Sequence, residues 1–225
     1  MAMKPDRRKA VALWLSGAAA VAGSFFLDDA VIAFVKGHSN QSLQTFGRFG
    51  SYFGQWHWLM LPCAVVAVIA WKRRDAVCLR ILCAMIITSI IAGLGVNALR
   101  VTTGRTRPSA PAEIKQGWYG MRHNGKWIVI KADYNAFPSG HAAASMGLVA
   151  PLLVMRRRIG WLLACVPLLI GAARICVGAH HLSDVVAGLL AGVAVAIWVT
   201  PKITPLLSRI NVPANNVAAS GNRQV

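Results

Sequence analysis

A histidine and an aspartate four positions apart, His180 and Asp184, are the residues of this sequence best suited to chemistry. On a helix the two side chains share a face, so the carboxylate can accept the ring N–H of the imidazole. That hydrogen bond fixes the tautomer and leaves the second ring nitrogen free to act as a nucleophile. His181 is three positions from Asp184, a spacing that a helix also brings together, so the spacing alone leaves two candidate nucleophiles. The alternative interpretation is a purely structural His–Asp hydrogen bond at the start of a helix.

Three arginines could bind an oxyanion near this pair. Arg100 and Arg107 belong to one polar run that ends at Pro108, and Arg174 lies shortly before His180. The planar guanidinium fork matches the oxygens of a phosphate, and Arg100 would lie two helical turns before Arg107 if the preceding helix continued. Arginines at the end of an apolar segment also extend to lipid headgroups, which is the alternative role for Arg100 and Arg107.

A third motif, Pro138-Ser139-Gly140-His141, comes directly before an apolar segment. Pro and Ser are favoured at a helix start, and Gly140 lets exposed backbone N–H groups approach an anion at the positive end of the helix dipole. Capping of a membrane helix is the alternative, but it gives no reason for a histidine on the first turn. We therefore predict a phosphate-binding turn at this helix start.

The composition indicates a membrane protein. Hydrophobic residues make up 56% of the 225 residues, and the mean hydropathy is +0.53, well above that of an ordinary globular protein. The formal net charge of +17 would also suit a nucleic-acid-binding protein. However, the basic residues cluster at the ends of apolar runs, so we expect no nucleic-acid partner. The five cysteines lack Cys-x-x-Cys spacing and predict neither a disulfide framework nor a metal site.

Six apolar segments are long enough, or nearly so, to cross a bilayer as helices. They predict an all-α integral membrane bundle of six transmembrane helices, forming a single domain over residues 1–200. The first segment also fits a cleaved signal peptide, but its apolar run continues through Phe25, Phe26 and Leu27, so we favour a retained helix. Residues 201–225 are polar and predict a disordered cytoplasmic tail. The six segments lie near residues 9–27, 56–71, 77–99, 141–155, 160–177 and 184–200.

The positive-inside rule orients this predicted bundle. It places the basic clusters at 72–74 and 156–158 in the cytoplasm, so both termini would be cytoplasmic. The loops at 28–55, 100–140 and 178–183 would then face the periplasm or the exterior. The loop at 100–140 nevertheless carries seven cations on that face, which an anionic ligand would explain.

This long loop, between the third and fourth predicted helices, also contains a strong hairpin signal, Asn124-Gly125. We expect a small two-stranded flap within residues 118–131. Aromatic rings with polar edges suit either a lid over the site or a belt at the membrane surface. The aromatic residues in question are Trp118, Tyr119 and Trp127.

Taken together, the three motifs resemble those of the type 2 phosphatidic acid phosphatase family, which includes bacterial lipid phosphatases and vanadium haloperoxidases. The family motifs read Lys-x6-Arg-Pro, Pro-Ser-Gly-His and Ser-Arg-x5-His-x3-Asp. They match this sequence at Arg100–Pro108, Pro138–His141 and Ala173–Asp184. Two positions depart from the pattern, because Arg100 replaces the family lysine and Ala173 replaces the family serine, which removes one hydroxyl donor.

The resemblance implies a role for each matching residue. His180 would attack phosphorus and form a phosphohistidine, with Asp184 orienting it, so the family pattern selects His180 over His181. His141 would protonate the leaving oxygen. No metal or other cofactor is implied. The phosphoryl charge would be held by Arg100, Arg107, Arg174, the Ser139 hydroxyl and the backbone of Ser139 and Gly140.

We therefore expect a phosphatase that acts on an anionic membrane lipid phosphate from outside the cytoplasm. The family implies undecaprenyl pyrophosphate, phosphatidylglycerophosphate, phosphatidic acid and lipid A phosphates as candidate substrates, and the sequence does not choose among them. One alternative is a haloperoxidase that binds vanadate in the same pocket, which the six membrane segments disfavour. Another is a non-catalytic protein that binds or transports anionic lipid.

Overall fold

A computed structural model describes residues 7–207 of the chain. Within these residues the protein is mostly helical, with one small antiparallel sheet and a short 3-10 helix at Ala132–Tyr134, which confirms the predicted helical class. The helices and strands are α1 (Arg7–Gly37), α2 (Gln41–Phe53), α3 (Trp56–Lys72), α4 (Ala76–Thr103), β1 (Arg122–His123), β2 (Lys126–Trp127), α5 (Gly140–Met155), α6 (Arg157–Leu163), α7 (Cys165–Cys176) and α8 (Leu182–Leu207).

Four helical segments of the described chain are long and apolar enough to cross a membrane. The segment Arg157–Cys176, which joins α6 and α7, counts as one of them. α2 and α3 meet the same criterion only together, and a bend of 58° separates them, so they add a fifth span if the pair crosses as one unit. α5 is apolar but shorter. The count of six spans therefore stays a prediction. The four segments are Val11–Gly37, Ala76–Thr103, Arg157–Cys176 and Leu182–Leu207.

The predicted loop at 28–55 is wrong, because α1 continues to Gly37 and α2 fills most of the remainder. The predicted first segment ended at residue 27, directly before the acidic pair Asp28-Asp29. In the structure Asp28 is only 4% exposed, so its carboxylate is accommodated inside the bundle and α1 continues past this residue as a helix.

The last helix is also longer than predicted. α8 continues through Pro201 and Pro205 to Leu207, so residues 201–207 belong to the helix and not to a polar tail. The rest of the predicted tail, residues 208–225, lies outside the described part of the chain.

Large apolar side chains cover the outer surface of the helices. Phe26 is 88% exposed, Leu162 72% and Trp161 70%. A soluble monomer rarely leaves such extensive apolar surface in contact with water, whereas the hydrocarbon of a bilayer accommodates it. These surfaces, together with the apolar helices, are those of a multi-pass membrane protein.

Close packing of α4, α5 and α8 fixes the start of α5. A Cβ atom on Gly188 of α8 would lie 2.5 Å from the carbonyl oxygen of Ser139, so only glycine allows this approach. Farther along α5, the Thr88 hydroxyl of α4 donates to the carbonyl oxygen of Gly147 at 2.6 Å. Small residues and hydrogen bonds between helices are the usual means of close packing in membrane bundles.

The chain between α4 and α5 turns sharply at its start and again at the hairpin. Gly104 ends α4 in the left-handed region, with φ of 58°, and lies against the backbone of Gly120, where a side chain would not fit. Asn124 and Gly125 have φ of 49° and 74°, as the two-residue turn of a tight hairpin requires. The predicted hairpin is thus confirmed, although β1 and β2 contain only two residues each.

Candidate active site

His180 lies in the short connection between α7 and α8 and is almost fully buried, with 1% of its surface exposed. Its Nδ1 atom is 2.8 Å from the carbonyl oxygen of Ala136 and 3.6 Å from Oδ2 of Asp184. A carbonyl oxygen can only accept, so Nδ1 carries the proton and donates to Ala136, leaving a lone pair on Nε2. The backbone carbonyl is therefore a nearer acceptor for Nδ1 than the carboxylate of Asp184, which was the predicted acceptor of this hydrogen bond.

Burial keeps this imidazole neutral. It lowers the pKa of His180 to about 4, and the positive charges of Arg174 and Arg107 act in the same direction, while Asp184 partly opposes them. At neutral pH the Nε2 lone pair is therefore available, as a nucleophile requires.

The Asp184 carboxylate is fully buried and binds several neighbours. Oδ2 accepts from the backbone N–H of His181 at 2.7 Å and lies 3.2 Å from the ring Nδ1 of that residue. Oδ1 accepts from Nη1 of Arg105 at 2.5 Å. The carboxylate thus holds the turn that carries both histidines, and its distance of 3.6 Å from Nδ1 of His180 is long for a hydrogen bond.

Three predicted site residues have buried nitrogen atoms that lack a hydrogen-bond partner among the described residues: Nε of Arg107, Nε of Arg174 and Nε2 of His141. Buried polar groups are almost always paired, so these three nitrogens are free to bind a ligand. The charges of Arg107 and Arg174 act on each other, on His141 and on His180. All of the unpaired groups can donate, and at least two are cationic, so the ligand that fits them is an anion.

Arg100 does not extend away from the protein, as its alternative role required. Its Nε and Nη2 atoms donate to the carbonyl oxygen of Asn135 at 3.0 and 2.8 Å, and Nη1 donates to Oδ1 of Asn97 at 3.0 Å. A Cβ atom on Gly140 would lie 3.0 Å from Nη1. The guanidinium of Arg100 is therefore held beside the start of α5, where Gly140 makes room for it.

Ser139 caps α5 and connects it to α8. Its backbone N–H donates to the carbonyl oxygen of Asp184 at 2.9 Å, and its buried hydroxyl accepts weakly from the N–H of Ala142 at 3.5 Å. The predicted use of the Ser139 backbone N–H for phosphate is wrong, because that donor is already occupied. The N–H of Gly140, in the first turn of α5, has no acceptor within its own helix and suits the phosphate-binding role.

A cavity of about 560 Å³ extends from the start of α5 into the bundle. Its polar end is formed by Arg100, Gly140 and His141, and its other walls come mainly from α4 and from the break between α2 and α3. The lining residues away from the polar end are Gly54, Gln55, Trp56, Ser89, Ile90, Gly93, Leu94, Asn97 and Ala144.

Four contributors to the site were missed at the sequence level: Arg105, Asp28, Ser183 and the carbonyl of Ala136. Arg105 donates to Asp28 through Nη2 and to Asp184 through Nη1. The available signal was an aspartate within an apolar helix, since such a residue usually has a partner or a task. A backbone carbonyl has no signal in the sequence.

Residues 78–206 match the model of the PAP2 superfamily, which covers more than half of the chain. The chain belongs to the PAP2 superfamily. This confirms the resemblance inferred from the three motifs, and the matched region contains every predicted site residue. Asp28 lies outside it, on α1.

Individual PAP2 relatives match shorter parts of the chain. It is 36% identical over 107 residues to the lipid A 1-phosphatase of Rhizobium johnstonii, covering 47% of this chain and 41% of that protein. It is 35% identical over 75 residues to the undecaprenyl-diphosphatase BcrC of Bacillus subtilis, covering 33% and 39%. The matches therefore span about two fifths of these relatives.

A solved PAP2 structure shows the same fold. The transmembrane PAP2 type phosphatidylglycerolphosphate phosphatase from Bacillus subtilis superimposes with a TM-score of 0.60 over 89% of this chain and 98% of that one. The sequence identity is 16%, so the likeness concerns the fold alone.

Proposed function

We propose that the protein hydrolyses a phosphomonoester or pyrophosphate of a membrane lipid through a phosphohistidine intermediate. The observation that carries this proposal is a buried, neutral His180 beside three unpaired donor nitrogens, on Arg107, Arg174 and His141. A nucleophile without a proton on Nε2 and a group of cationic donors that can hold a phosphate are complementary parts of a phosphoryl-transfer site.

In the first step Nε2 of His180 attacks phosphorus, and the bond from phosphorus to the leaving oxygen breaks. His141, protonated from solvent when the anionic substrate binds beside it, gives that proton to the leaving oxygen, which departs as an alcohol or as a lipid monophosphate. The proton on Nδ1 of His180 stays in its hydrogen bond with Ala136. Arg100, Arg107 and Arg174, with the Gly140 N–H, stabilise the negative charge on the phosphoryl oxygens.

In the second step water attacks the phosphohistidine. His141, now neutral, takes a proton from that water, the P–N bond breaks, and inorganic phosphate leaves with His180 restored to its neutral form. One water molecule is consumed and both histidines return to their starting protonation states.

A lipid substrate is supported by the cavity and by the surroundings of the site. The cavity joins polar groups at Arg100 and His141 to apolar walls at Ile90 and Leu94, which suits a molecule with a charged head and an apolar tail. The relatives described above are named for phosphatases of lipid A and of undecaprenyl diphosphate, which are lipids of this kind.

We further propose that the bundle crosses the membrane six times, with α2 and α3 crossing as one bent unit and α5 as a short span. With the basic residues at 72–74 and 156–158 in the cytoplasm, both termini are cytoplasmic and the site opens to the periplasm or the exterior.

Phosphate release by purified protein in detergent tests the activity. The panel contains phosphatidic acid, phosphatidylglycerophosphate, undecaprenyl pyrophosphate and lipid A. Each lipid is tested with wild type, His180→Ala and the control His38→Ala. The ring of His38 is exposed and hydrogen-bonded to the carbonyl oxygen of Phe34. We expect release from at least one lipid, retained activity in His38→Ala and a loss of about 10³-fold or more in His180→Ala. No release from any lipid by wild type contradicts the proposal. Lipid binding that persists in His180→Ala without any turnover would indicate a non-catalytic lipid-binding protein.

A further inference from the structure

Two residues that the proposed chemistry does not use, Asp28 and Arg105, form a buried network behind Asp184. Oδ2 of Asp28 accepts from Nη2 of Arg105 at 2.6 Å and from the Ser183 hydroxyl at 2.6 Å. Nη1 of Arg105 donates to the same hydroxyl at 2.6 Å and to Asp184 at 2.5 Å. One guanidinium thus joins two carboxylates, one on α1 and one on α8.

The network also holds the first turn of α8. Oδ1 of Asp28 accepts from the backbone N–H of Ser183 at 2.9 Å, an N–H that has no acceptor within its own helix. A carboxylate is favourable at this position because the start of a helix carries partial positive charge. Asp28 therefore caps α8 from another helix and fixes the position of the first turn of α8, which contains Asp184.

Arg105 supports the second acceptor of the site as well. Its carbonyl oxygen accepts from the N–H of Ala136 at 3.0 Å, and the carbonyl of Ala136 accepts from His180. The guanidinium packs over the rings of Phe25 and Trp118, with its central carbon 5.0 and 4.9 Å from the ring centres. Arg105 thus lies behind both groups that face the Nδ1 edge of the nucleophile.

We propose that Asp28 and Arg105 are positioning residues of the active site. They hold the start of α8, and together with Asp184 they set the net charge of the buried network that lies beside His180. The inference rests on the proposed phosphatase activity. The three charged side chains carry a net charge of −1, because two carboxylates share one guanidinium. Removal of either Asp28 or Arg105 changes this sum in opposite directions.

The acid limb of kcat/KM, the fall in kcat/KM at low pH as His180 takes up a proton, should move in opposite directions when the charge of the network changes in opposite directions. Asp28→Asn makes the network neutral, which disfavours protonation of His180 and moves the limb to lower pH. Arg105→Gln makes it −2, which favours protonation and moves the limb to higher pH. Each shift should be about one pH unit, as expected for the change of one unit charge in a partly screened interior. Other ionisable groups around His180 stay unchanged in these variants: Arg174 of α7, His141 of α5, Arg100 of α4, His181, and Arg107 of the loop between α4 and α5.

The experiment measures kcat/KM against pH for wild type, Asp28→Asn, Arg105→Gln, Arg105→Lys and the double variant Asp28→Asn with Arg105→Gln. The double variant and Arg105→Lys keep the network at −1, so their limbs should return close to that of wild type even if kcat is lower. Asp29→Asn, which removes a neighbouring exposed carboxylate of α1, is the matched control and should change neither the limb nor kcat.

A merely structural role predicts lower activity or lower melting temperature without opposite shifts. Equal shifts in the two single variants, or a double variant displaced further than either, would overturn the inference. If Arg105→Gln does not fold, Asp28→Asn alone still decides, because an unmoved limb in folded, active protein contradicts the proposal. An inactive wild type would instead contradict the proposed function, so the two failures are distinguishable.

Discussion

Nδ1 of His180 donates to the carbonyl oxygen of Ala136 at 2.8 Å, whereas the nearest oxygen of Asp184 lies 3.6 Å away. The tautomer of the proposed nucleophile is therefore set by the backbone, and the carboxylate acts mainly through its charge and by holding the turn. This division between the two acceptors has consequences that can be measured.

Asp184→Asn should reduce activity less than loss of an orienting carboxylate does in a serine protease, where the change costs roughly 10⁴-fold because the tautomer is lost. Here the carbonyl of Ala136 keeps the tautomer, so we expect a loss of about 10²-fold in the rate constant of the chemical step, measured in single-turnover assays. His180→Ala serves as the lower reference. An Asp184→Asn protein as inactive as His180→Ala would show that the carboxylate, and not the backbone, orients the ring.

The two adjacent histidines should differ sharply. His181 contacts Asp184 with its ring at 3.2 Å, whereas His180 interacts with the charges of Arg174 and Arg107. We expect His181→Gln to keep activity within about tenfold and to form an acid-labile phosphoenzyme when quenched during turnover of a radiolabelled substrate. His180→Gln should form none. Labelling that survives in His180→Gln and disappears in His181→Gln would assign the nucleophile to His181.

Activity should persist at acidic pH. Burial lowers the pKa of His180 to about 4, so this ring takes up a proton only below about pH 5 and remains a nucleophile above it. The acid limb of kcat/KM that belongs to the nucleophile should accordingly lie near pH 4 and not near 6.5, the value for an ordinary histidine. The measurement uses a substrate whose leaving group needs no protonation, which removes the contribution of His141. A limb near pH 6.5 with that substrate would contradict the buried, neutral state of His180.

Gly188→Ala tests the contact between α8 and α5. The added Cβ would come within 2.5 Å of the Ser139 carbonyl oxygen, so the start of α5 must move away from α8. We expect a loss of at least about tenfold in kcat/KM and a lower melting temperature, as for other overpacked positions. Gly95→Ala on α4 is the control, since its Cβ would meet no atom within 4 Å. Equal behaviour of the two variants would mean that α5 adjusts without disturbing the site.

The sequence predicted the parts of the site that depend on local spacing. Short motifs identify Arg107, His141 and Arg174, which lie in or just beyond the ends of helices, and their charges act on one another in the structure. The Arg105–Asp28 pair was not predictable in this way, because it requires that α1 lie beside the start of α8. No spacing within either segment encodes that long-range contact.

Helix boundaries were predicted where apolar residues give way to loops and were wrong where polar residues interrupt the apolar pattern of a helix. α1 was ended too early at Asp28, whose carboxylate is satisfied by partners distant in the chain. α2 was taken for a loop, and its sequence places Gln41, Gln44 and Arg48 beside apolar residues. In both cases tertiary contacts decided what the local pattern left undetermined.

The cavity beside the site has walls of two origins. Arg100, Gly140 and His141 belong to the part of the chain that matches the PAP2 model, whereas Gln55 and Trp56, at the break between α2 and α3, precede it. In a lipid phosphatase, the groups that act on the phosphate would then lie on one part of the chain, and the wall available to the apolar tail of the lipid would lie on another. Exchange of the bend between α2 and α3 for that of another family member could thus change which lipid is accepted while the bond-breaking groups stay in place.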